Sequence, residues 1–561
     1  MKQEQLSFLQ RQRLHYQPKL PLLLHKLRQL KWVPAARSHV GERTIDPKVA
    51  AFFPTTADQP LLELAEEHKL ARTPKRVAIL FSGGQAPGGH NVVTGLYDGL
   101  VALHQESRLF GFQGGAAGLL KQQFMPLSRD QLQLYRNSGG FDLLGSGRDK
   151  IETPEQFQAV ERTVDQLQLD GLVIVGGDDS NTNSALLAEY FRSKGARLAI
   201  VGVPKTIDGD LKSKLLEASF GFDTAAKTYA ALVGDLCRDA LSSRKYYHII
   251  KLMGRSASHI ALECALQTHP NALLIGEELW SKGKRWSEVV SELADLIGKR
   301  AAQGKQHGVI LLPEGIVEFI PEFRLLISEL NEFLSQNELP EELVAEARLE
   351  QVKAHLSIES AKSFSSLPPS IAQQLLMGRD PHGNVQLAKI ESERLLAEAL
   401  QQELERRGDP SVQFNPQLHY FGYEGRSCFP SNFDCQYCYG LGHLAALLIQ
   451  GAHTGYLCTI GRLCDPVEQW ECRALPLVQL MNLERRKGKE KPVVAKALVD
   501  LEGTPFKTYV DMREQWALED NYRFPGPIQF GGESEVTDVT TITLQLEHHP
   551  ERWLSQLPSF S

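Results

Sequence analysis

No run of about 18 apolar residues, the length that spans a bilayer as a helix, occurs in this 561-residue sequence. A membrane-spanning helix is therefore not expected. Cysteine is scarce, with eight residues, and they lack the dense spacing of a secreted disulfide scaffold. Cys435 and Cys438 form a CxxC with Cys428 just upstream. Cys458, Cys464 and Cys472 do not supply the second close pair that a zinc site wants, so free thiols are expected. Positive charge is not in excess: 61 Lys and Arg against 68 Asp and Glu leave a net charge of −7, which gives no general nucleic-acid surface. The Walker signature GxxxxGK[ST] is missing. So is GxGxxG with an acidic residue about 20 positions on, which makes a dinucleotide-dependent oxidoreductase remote. There is no repeat of fixed period and no low-complexity segment. The basic start of the chain holds Leu20, Leu22, Leu23 and Leu24, a patch too short and too interrupted for a secretory signal. A cytoplasmic location is expected.

What is present is ordinary globular composition, 42% apolar and 23% charged, in a chain long enough for roughly two to four domains. Residues 1–70 read as an amphipathic, largely helical extension. At Arg76 the character changes. Val77, Ala78, Ile79, Leu80 and Phe81 form a short apolar run that ends in glycines, as a buried parallel strand does. The pattern recurs at residues 172–175 before Gly176 and Gly177, at 198–203 before Pro204, at 273–275 before Gly276, and at 309–312 before Pro313, Glu314 and Gly315. Between two of these runs lies a capped helix: Thr153 as N-cap, Pro154 in the first turn, Gln156 closing a capping box, and Phe157, Val160, Val164 and Leu167 on one face. Strand, glycine turn and helix in alternation predict doubly wound α/β sheets. Ligands of such sheets bind at the carboxyl ends of the strands. Residues 317–406 differ. They are rich in Glu, Leu, Ala and Gln, with Leu396, Leu400 and Leu404 at helical spacing, and they predict a helical insertion.

Four segments at those strand ends carry chemistry. Ser82-Gly83-Gly84-Gln85-Ala86-Pro87-Gly88-Gly89 follows a strand and precedes a helix, an arrangement that lets backbone N–H groups approach an anion. Gly145-Ser146-Gly147-Arg148-Asp149-Lys150 places two cations in a glycine-rich turn. Gly176-Gly177-Asp178-Asp179-Ser180 ends a strand in adjacent carboxylates, which repel unless a cation or a hydrogen-bond network offsets them. Magnesium prefers carboxylate and phosphate oxygen. Pro204-Lys205-Thr206-Ile207-Asp208-Gly209-Asp210 sets two carboxylates beside a lysine and a hydroxyl, a combination suited to proton removal next to a phosphate. Taken singly, each has a bland reading as a tight turn, a pair of solvated charges, an Asp-rich helix cap or a polar turn.

Together, in this order, they resemble the phosphofructokinase family. The resemblance runs from about Arg76 to about Ala445 and is joined by Phe220-Gly221-Phe222-Asp223-Thr224-Ala225, Met253-Gly254-Arg255, Pro313-Glu314-Gly315 and Gly422-Tyr423-Glu424-Gly425-Arg426. Within the family the chain is similar to the long, pyrophosphate-dependent type. Asp179 and Lys205 stand where ATP-using members usually have glycine. A side chain at 179 would crowd and repel an α-phosphate, while the Lys205 ammonium suits a bare diphosphate. Gln85, where ATP users commonly have aspartate, agrees.

The resemblance implies two three-layer α/β/α domains with the active site between them. A donor domain would span 71–240 with about 427–480. A sugar-phosphate domain would span 241–426 with the C-terminal tail, including the insertion. The implied reaction is reversible phosphoryl transfer from pyrophosphate to the 1-hydroxyl of fructose 6-phosphate, with Mg2+, in a homodimer. Gly84, Arg148, Lys150 and Lys205 would contact pyrophosphate, and Asp178 would hold magnesium. Asp208 would be the base, with Lys205, Thr206, Asp210 and Asp179 beside it. Thr206, Ile207, Asp208, Met253, Gly254, Arg255, Glu314, Tyr423, Glu424, Gly425 and Arg426 would form the sugar-phosphate site, with Arg426 on the 6-phosphate. Lys245 and Tyr246 would contribute across the dimer interface. The second Met377-Gly378-Arg379, inside the insertion, is read as coincidence. The rival readings are an ATP-dependent sugar-phosphate kinase of the same fold and a non-catalytic regulatory subunit.

Overall fold

The computed structural model describes residues 6–36, 45–337, 345–377, 385–386, 389–486 and 489–551; Gly378 and Arg379 lie outside them. The chain forms two compact units. One comprises Met1–Ala225, Glu424–Ala497 and Ile528–Leu544; the other comprises Ala226–Tyr423, Leu498–Pro527 and Gln545–Ser561. The first crossing falls inside helix Phe222–Ser243 and the return falls in the turn Tyr423–Arg426, against the 240 and 426 expected from the sequence.

Among the described residues, the first unit carries a ten-stranded mixed sheet. Its centre is parallel: Tyr456–Gly461, Ala199–Thr206, Gly171–Gly176, Arg76–Phe81 and Arg108–Phe112 lie side by side in that order. The apolar runs at 76–81 and 171–176 are buried almost throughout, because helices cover both faces. Ala78, Leu80, Leu172, Ile174 and Ile200 face one way. They pack against Val160, Val164 and Leu167 of helix Pro154–Leu167 and Leu187, Ala188 and Phe191 of helix Asp178–Ser193. The capping box at Thr153 and Gln156 forms as expected. From Arg76–Phe81 the chain winds to Arg108–Phe112 on one side; from Gly171–Gly176 it winds to Ala199–Thr206 on the other. These adjacent strands therefore bracket the topological switch point, where doubly wound sheets bind ligands.

The N-terminal segment departs from its expected helical form. It contains helix Phe8–His15 and a 3-10 segment Leu22–Gln29, followed by strands Leu30–Pro34 and Leu62–Glu66. The strands pair antiparallel, and Leu62–Glu66 extends the sheet through Glu471–Pro476. Leu30 and Trp32 are buried with Lys31 exposed between them, a period of two that only a strand satisfies. Pro18, Pro21, Pro34, Pro54 and Pro60 interrupt any longer helix.

The second unit is built on a four-stranded parallel sheet, ordered Ala272–Leu273, Gly308–Pro313, Tyr247–Leu252 and Pro416–Phe421. The expected insertion is helical: Pro321–Gln336, Ala345–Lys353, Ile358–Ser365, Pro369–Leu375 and Ser392–Arg407. It is not an appendage. Leu326, Leu330, Ile371, Leu396 and Leu400 share one buried cluster with Ile249, Ile310 and Leu312 of the sheet. All eight cysteines are free thiols, and Cys435 and Cys438 are buried in helix Asn432–Gln450.

In the first unit, helices Gly89–Leu103 and Asn432–Gln450 meet backbone to backbone. A Cβ at Gly95 would overlap the Tyr439 carbonyl, and one at Gly442 would overlap the backbone at Val92 and Leu96. Because Gly89–Leu103 begins at the glycine loop after the first strand, this packing sets that loop's height over the sheet. Gly442→Val is expected to destabilise the protein by about 3 kcal/mol or more by overpacking, whereas Gly298→Ala, with nothing within 4 Å of the added carbon, should be neutral or stabilising. Denaturant melts of the two variants check this.

Candidate active site

The loop at 82–89 takes its shape from glycines that other residues cannot replace. Gly83 and Gly88 have φ of 84° and 106°, in the left-handed region that favours glycine. Gly88 caps helix Gly89–Leu103, and a Cβ there would lie 2.5 Å from the Cys438 sulfur. The loop is tied to the turn at 145–150. Gly83 N donates to Gly147 O at 2.9 Å, and Ser146 Oγ donates to Gly83 O at 2.6 Å. Two cations look onto the exposed backbone. A Cβ on Gly83 would meet Lys205 Nζ at 3.1 Å, and one on Gly84 would meet the Arg426 guanidinium carbon at 3.5 Å. The space a side chain would fill is thus bounded by an ammonium, a guanidinium and glycine backbone, which is the chemistry of an anion site.

The neighbouring strand ends close this site. Gly177 precedes helix Asp178–Ser193, so Asp178 and Asp179 occupy its first turn, where carboxylates favour the macrodipole. Ser180 Oγ donates to Ser82 Oγ at 2.8 Å, joining the two loops. Asp179 Oδ1 pairs with Lys150 Nζ at 3.1 Å, and Asp178 Oδ2 with Lys496 Nζ at 3.6 Å. At the end of Ala199–Thr206, Thr206 Oγ1 accepts from Asp208 N at 3.0 Å and donates to Asp210 Oδ1 at 3.1 Å. Gly209 at φ 74° makes the turn. Ile207 is buried beneath it, and its methyl would be 3.2 Å from a Cβ on Gly221. Arg148 is exposed on its turn.

Burial sharpens the electrostatics. Lys205 is 6% exposed. Desolvation pulls its pKa from 10.5 down to about 8, helped by Arg426, while Asp208, Asp178 and Asp210 hold it up. Asp210 is pushed from 3.8 up to about 7 by desolvation, then by Asp208 and Asp178, against Lys496 and the Thr206 hydrogen bond. Among the described residues no three ligating side chains close on one point; a lone carboxylate such as Asp178 suits a magnesium that takes its other ligands from phosphate oxygens and water.

A second group of the expected residues gathers in the other unit. Met253 and Gly254 follow strand Tyr247–Leu252, and Gly254 has φ 137°. Glu314 ends Gly308–Pro313, with its N–H donating to Leu252 O at 2.8 Å. A Cβ on Gly315 would overlap the Arg255 carbonyl, and one on Gly422 would lie 3.0 Å from the Met253 methyl. The Met253, Glu314 and Gly422 segments therefore pack on one another at the carboxyl ends of parallel strands. Tyr420 Oη donates to Glu314 Oε2 at 2.9 Å. Its ring lies 4.4 Å from Lys251 Nζ, and that buried ammonium donates to Ile390 O at 2.8 Å and pairs with Glu393 at 3.0 Å. Sequence reasoning missed Lys251, Tyr420 and Glu393, as it missed Lys496. No local motif marks them, and only the fold of each unit brings them to their partners. Lys245 and Tyr246 stand apart. They precede the amino end of the strand that Met253 follows, about 20 Å away at the usual rise. Tyr423 is exposed, and Glu424, Gly425 and Arg426 belong to the first unit, where Arg426 faces Gly84.

The phosphofructokinase family profile matches residues 76–449. Over 541 residues the chain is 47% identical to the pyrophosphate–fructose 6-phosphate 1-phosphotransferase of Porphyromonas gingivalis, covering 95% of this chain and 98% of that protein. The enzyme of the same name from Treponema pallidum is 47% identical over 559 residues, 97% of each chain. The protein named as its beta 2 subunit in Arabidopsis thaliana is 49% identical over 506 residues, 89% of this chain and 87% of that one. A crystal structure of a pyrophosphate-dependent phosphofructokinase from Nitrosospira multiformis matches with a TM-score of 0.52 at 15% identity, over 83% of this chain and 97% of that one. That last likeness speaks to the fold alone.

Lys205 yields a prediction about stability. Its folded pKa is below its unfolded value, so between about pH 8 and 10.5 the unfolded chain binds more protons. The cost of burying this charge is complete below pH 8 and fades as pH rises toward 10.5. Lys205→Met removes the cost. At pH 7 the variant should be more stable by up to about 3 kcal/mol, and the gain should shrink between pH 8 and 10. Thermal melts across that range check it.

Proposed function

The chain belongs to the phosphofructokinase family, and on that premise we propose that it transfers a phosphoryl group from inorganic pyrophosphate to the 1-hydroxyl of D-fructose 6-phosphate, reversibly, giving fructose 1,6-bisphosphate and phosphate. Relatives carrying that activity in their names align along almost the whole chain. The observation that carries the donor assignment is that Asp179 pairs with Lys150 at 3.1 Å while the Lys205 ammonium faces Gly83. The Asp179 carboxylate would crowd and repel an α-phosphate, and the Lys205 ammonium suits a bare diphosphate.

Phosphoryl transfer asks the protein mainly to align and to neutralise. Gly84 offers backbone to the pyrophosphate, with Lys205, Lys150 and Arg148 as its cations. Asp208 takes the proton of the 1-hydroxyl. The Thr206 hydroxyl holds the Asp208 N–H and the Asp210 carboxyl, keeping this turn in one conformation before substrate arrives. Asp179 keeps Lys150 oriented toward the donor. Magnesium bound by Asp178 and the diphosphate would neutralise charge on the transferring group. Met253, Gly254 and Arg255 line the sugar-phosphate site, and Glu314, braced by Tyr420, binds sugar hydroxyls. Thr206, Ile207, Tyr423, Glu424, Gly425 and Arg426 complete it. Arg426, which faces Gly84, would hold the 6-phosphate. The proposal includes a cytoplasmic homodimer. Lys245 and Tyr246 sit at the far end of their strand, so any part they take in the sugar site comes from a second copy.

A non-catalytic subunit is the second class of reading, because plant relatives are named as alpha and beta subunits. Retention of Asp178, Lys205, Asp208 and Arg426 speaks against it. Turnover by the purified chain alone, with pyrophosphate or ATP in parallel, decides between the readings. Asp208→Asn should lower kcat about 10³-fold, with the KM for pyrophosphate little changed, the signature of a lost general base. Replacing Asp179 and Lys205 together by glycine should raise the ratio of ATP use to pyrophosphate use. An unchanged ratio would overturn the donor assignment.

A further inference from the structure

We propose that Lys496 is a further pyrophosphate-binding residue, paired with Asp178 and passing to the diphosphate when the magnesium complex binds. The proposal rests on the donor assignment above and adds a residue that no motif contains.

The backbone around Lys496 is fixed on both sides. It follows the hairpin formed by Met481–Arg486 and Lys489–Val494. Val494 N donates to Thr182 Oγ1 at 2.9 Å, and the same hydroxyl donates to the Asp178 carbonyl at 2.9 Å. Ala495 N donates to Leu480 O at 2.8 Å, and Ala497 N to Asp210 O at 2.7 Å. One end of the segment is thus bonded to the Asp178 turn and the other to the Asp210 turn. Lys496 lies between them, and its ammonium reaches Asp178 Oδ2 at 3.6 Å.

That ion pair is poorly suited to a purely structural role. Its side chains are 29% and 27% exposed, and at such exposure an ion pair contributes little to stability. Three ordered hydrogen bonds that deliver a flexible side chain to one carboxylate fit a different task. Without ligand, Lys496 offsets part of the repulsion among Asp178, Asp208 and Asp210, and it also lowers the Asp210 pKa. A divalent cation held by Asp178 would supply that charge compensation instead. The ammonium, on a four-carbon stem, would then reach on to diphosphate oxygen. Lys496 and free magnesium therefore compete for Asp178, while Lys496 and magnesium diphosphate cooperate.

The test compares wild type, Lys496→Met and Lys496→Arg in the full chain. Lys496→Met should raise the KM for pyrophosphate about 10- to 100-fold, the range for a lost charged hydrogen bond, and leave the KM for fructose 6-phosphate within about twofold. A readout independent of turnover is the rise in Tm with added ligand. For Lys496→Met the midpoint should move to lower concentration with magnesium alone, and to higher concentration with pyrophosphate in saturating magnesium. Lys496→Arg should recover most of the pyrophosphate effect. A Lys496→Met variant with the wild-type pyrophosphate midpoint and the wild-type magnesium midpoint overturns the proposal. The midpoints decide it whichever donor the wild type turns over, so a failure of the donor assignment is seen separately, in the turnover assay.

Discussion

Lys205 is an ammonium taken almost entirely out of water, and the groups around it in the first unit make that state tolerable. Burial pulls its pKa down. Asp208, Asp178 and Asp210 oppose this, while Arg426 works with the desolvation. The balance leaves a buried cation held in electrostatic tension with the groups around it. Such tension costs folding free energy, as a preorganised charged site does.

The tension can be held only because the backbone under it is rigid. Gly83 and Gly88 adopt conformations closed to other residues, and the loop carrying them is bonded to Gly147, Ser146 and, through Ser82, to Ser180. Beneath it, Gly95 and Gly442 bring two helices into backbone contact. Glycine therefore plays two separate parts in the first unit. In the loop it opens space for a ligand, and in the helices it removes space between elements.

In the second unit the insertion takes part in the site's support. Lys251 is buried, and its charge is answered by Glu393 and the Ile390 carbonyl, both from the segment around the insertion's last helix. Over it lies the Tyr420 ring, whose hydroxyl holds Glu314. A buried ion pair is weak evidence for stability. Here its position gives it a clearer meaning: it fixes the ring that orients a carboxylate at a strand end.

Much of this was legible beforehand. The strands at 76–81, 171–176 and 308–313, the capped helix at 154–167 and the helical insertion all follow from periodicity and turn residues. The motifs at 82–89, 176–180 and 204–210 marked the strand ends that gather in the first unit, because glycine, adjacent carboxylates and a lysine after an apolar run are local signals. The N-terminal strands were not legible: Leu30 and Trp32 make too short an alternation to stand out, and their partners are at 62–66 and 471–476. Lys496, Lys251, Tyr420 and Glu393 were silent for the same reason. By itself the sequence determined the sheet-and-helix alternation and the chemistry available at each strand end. Only the tertiary structure decided which charges meet across hundreds of residues, because register, winding direction and close packing are long-range properties that no short window of sequence contains.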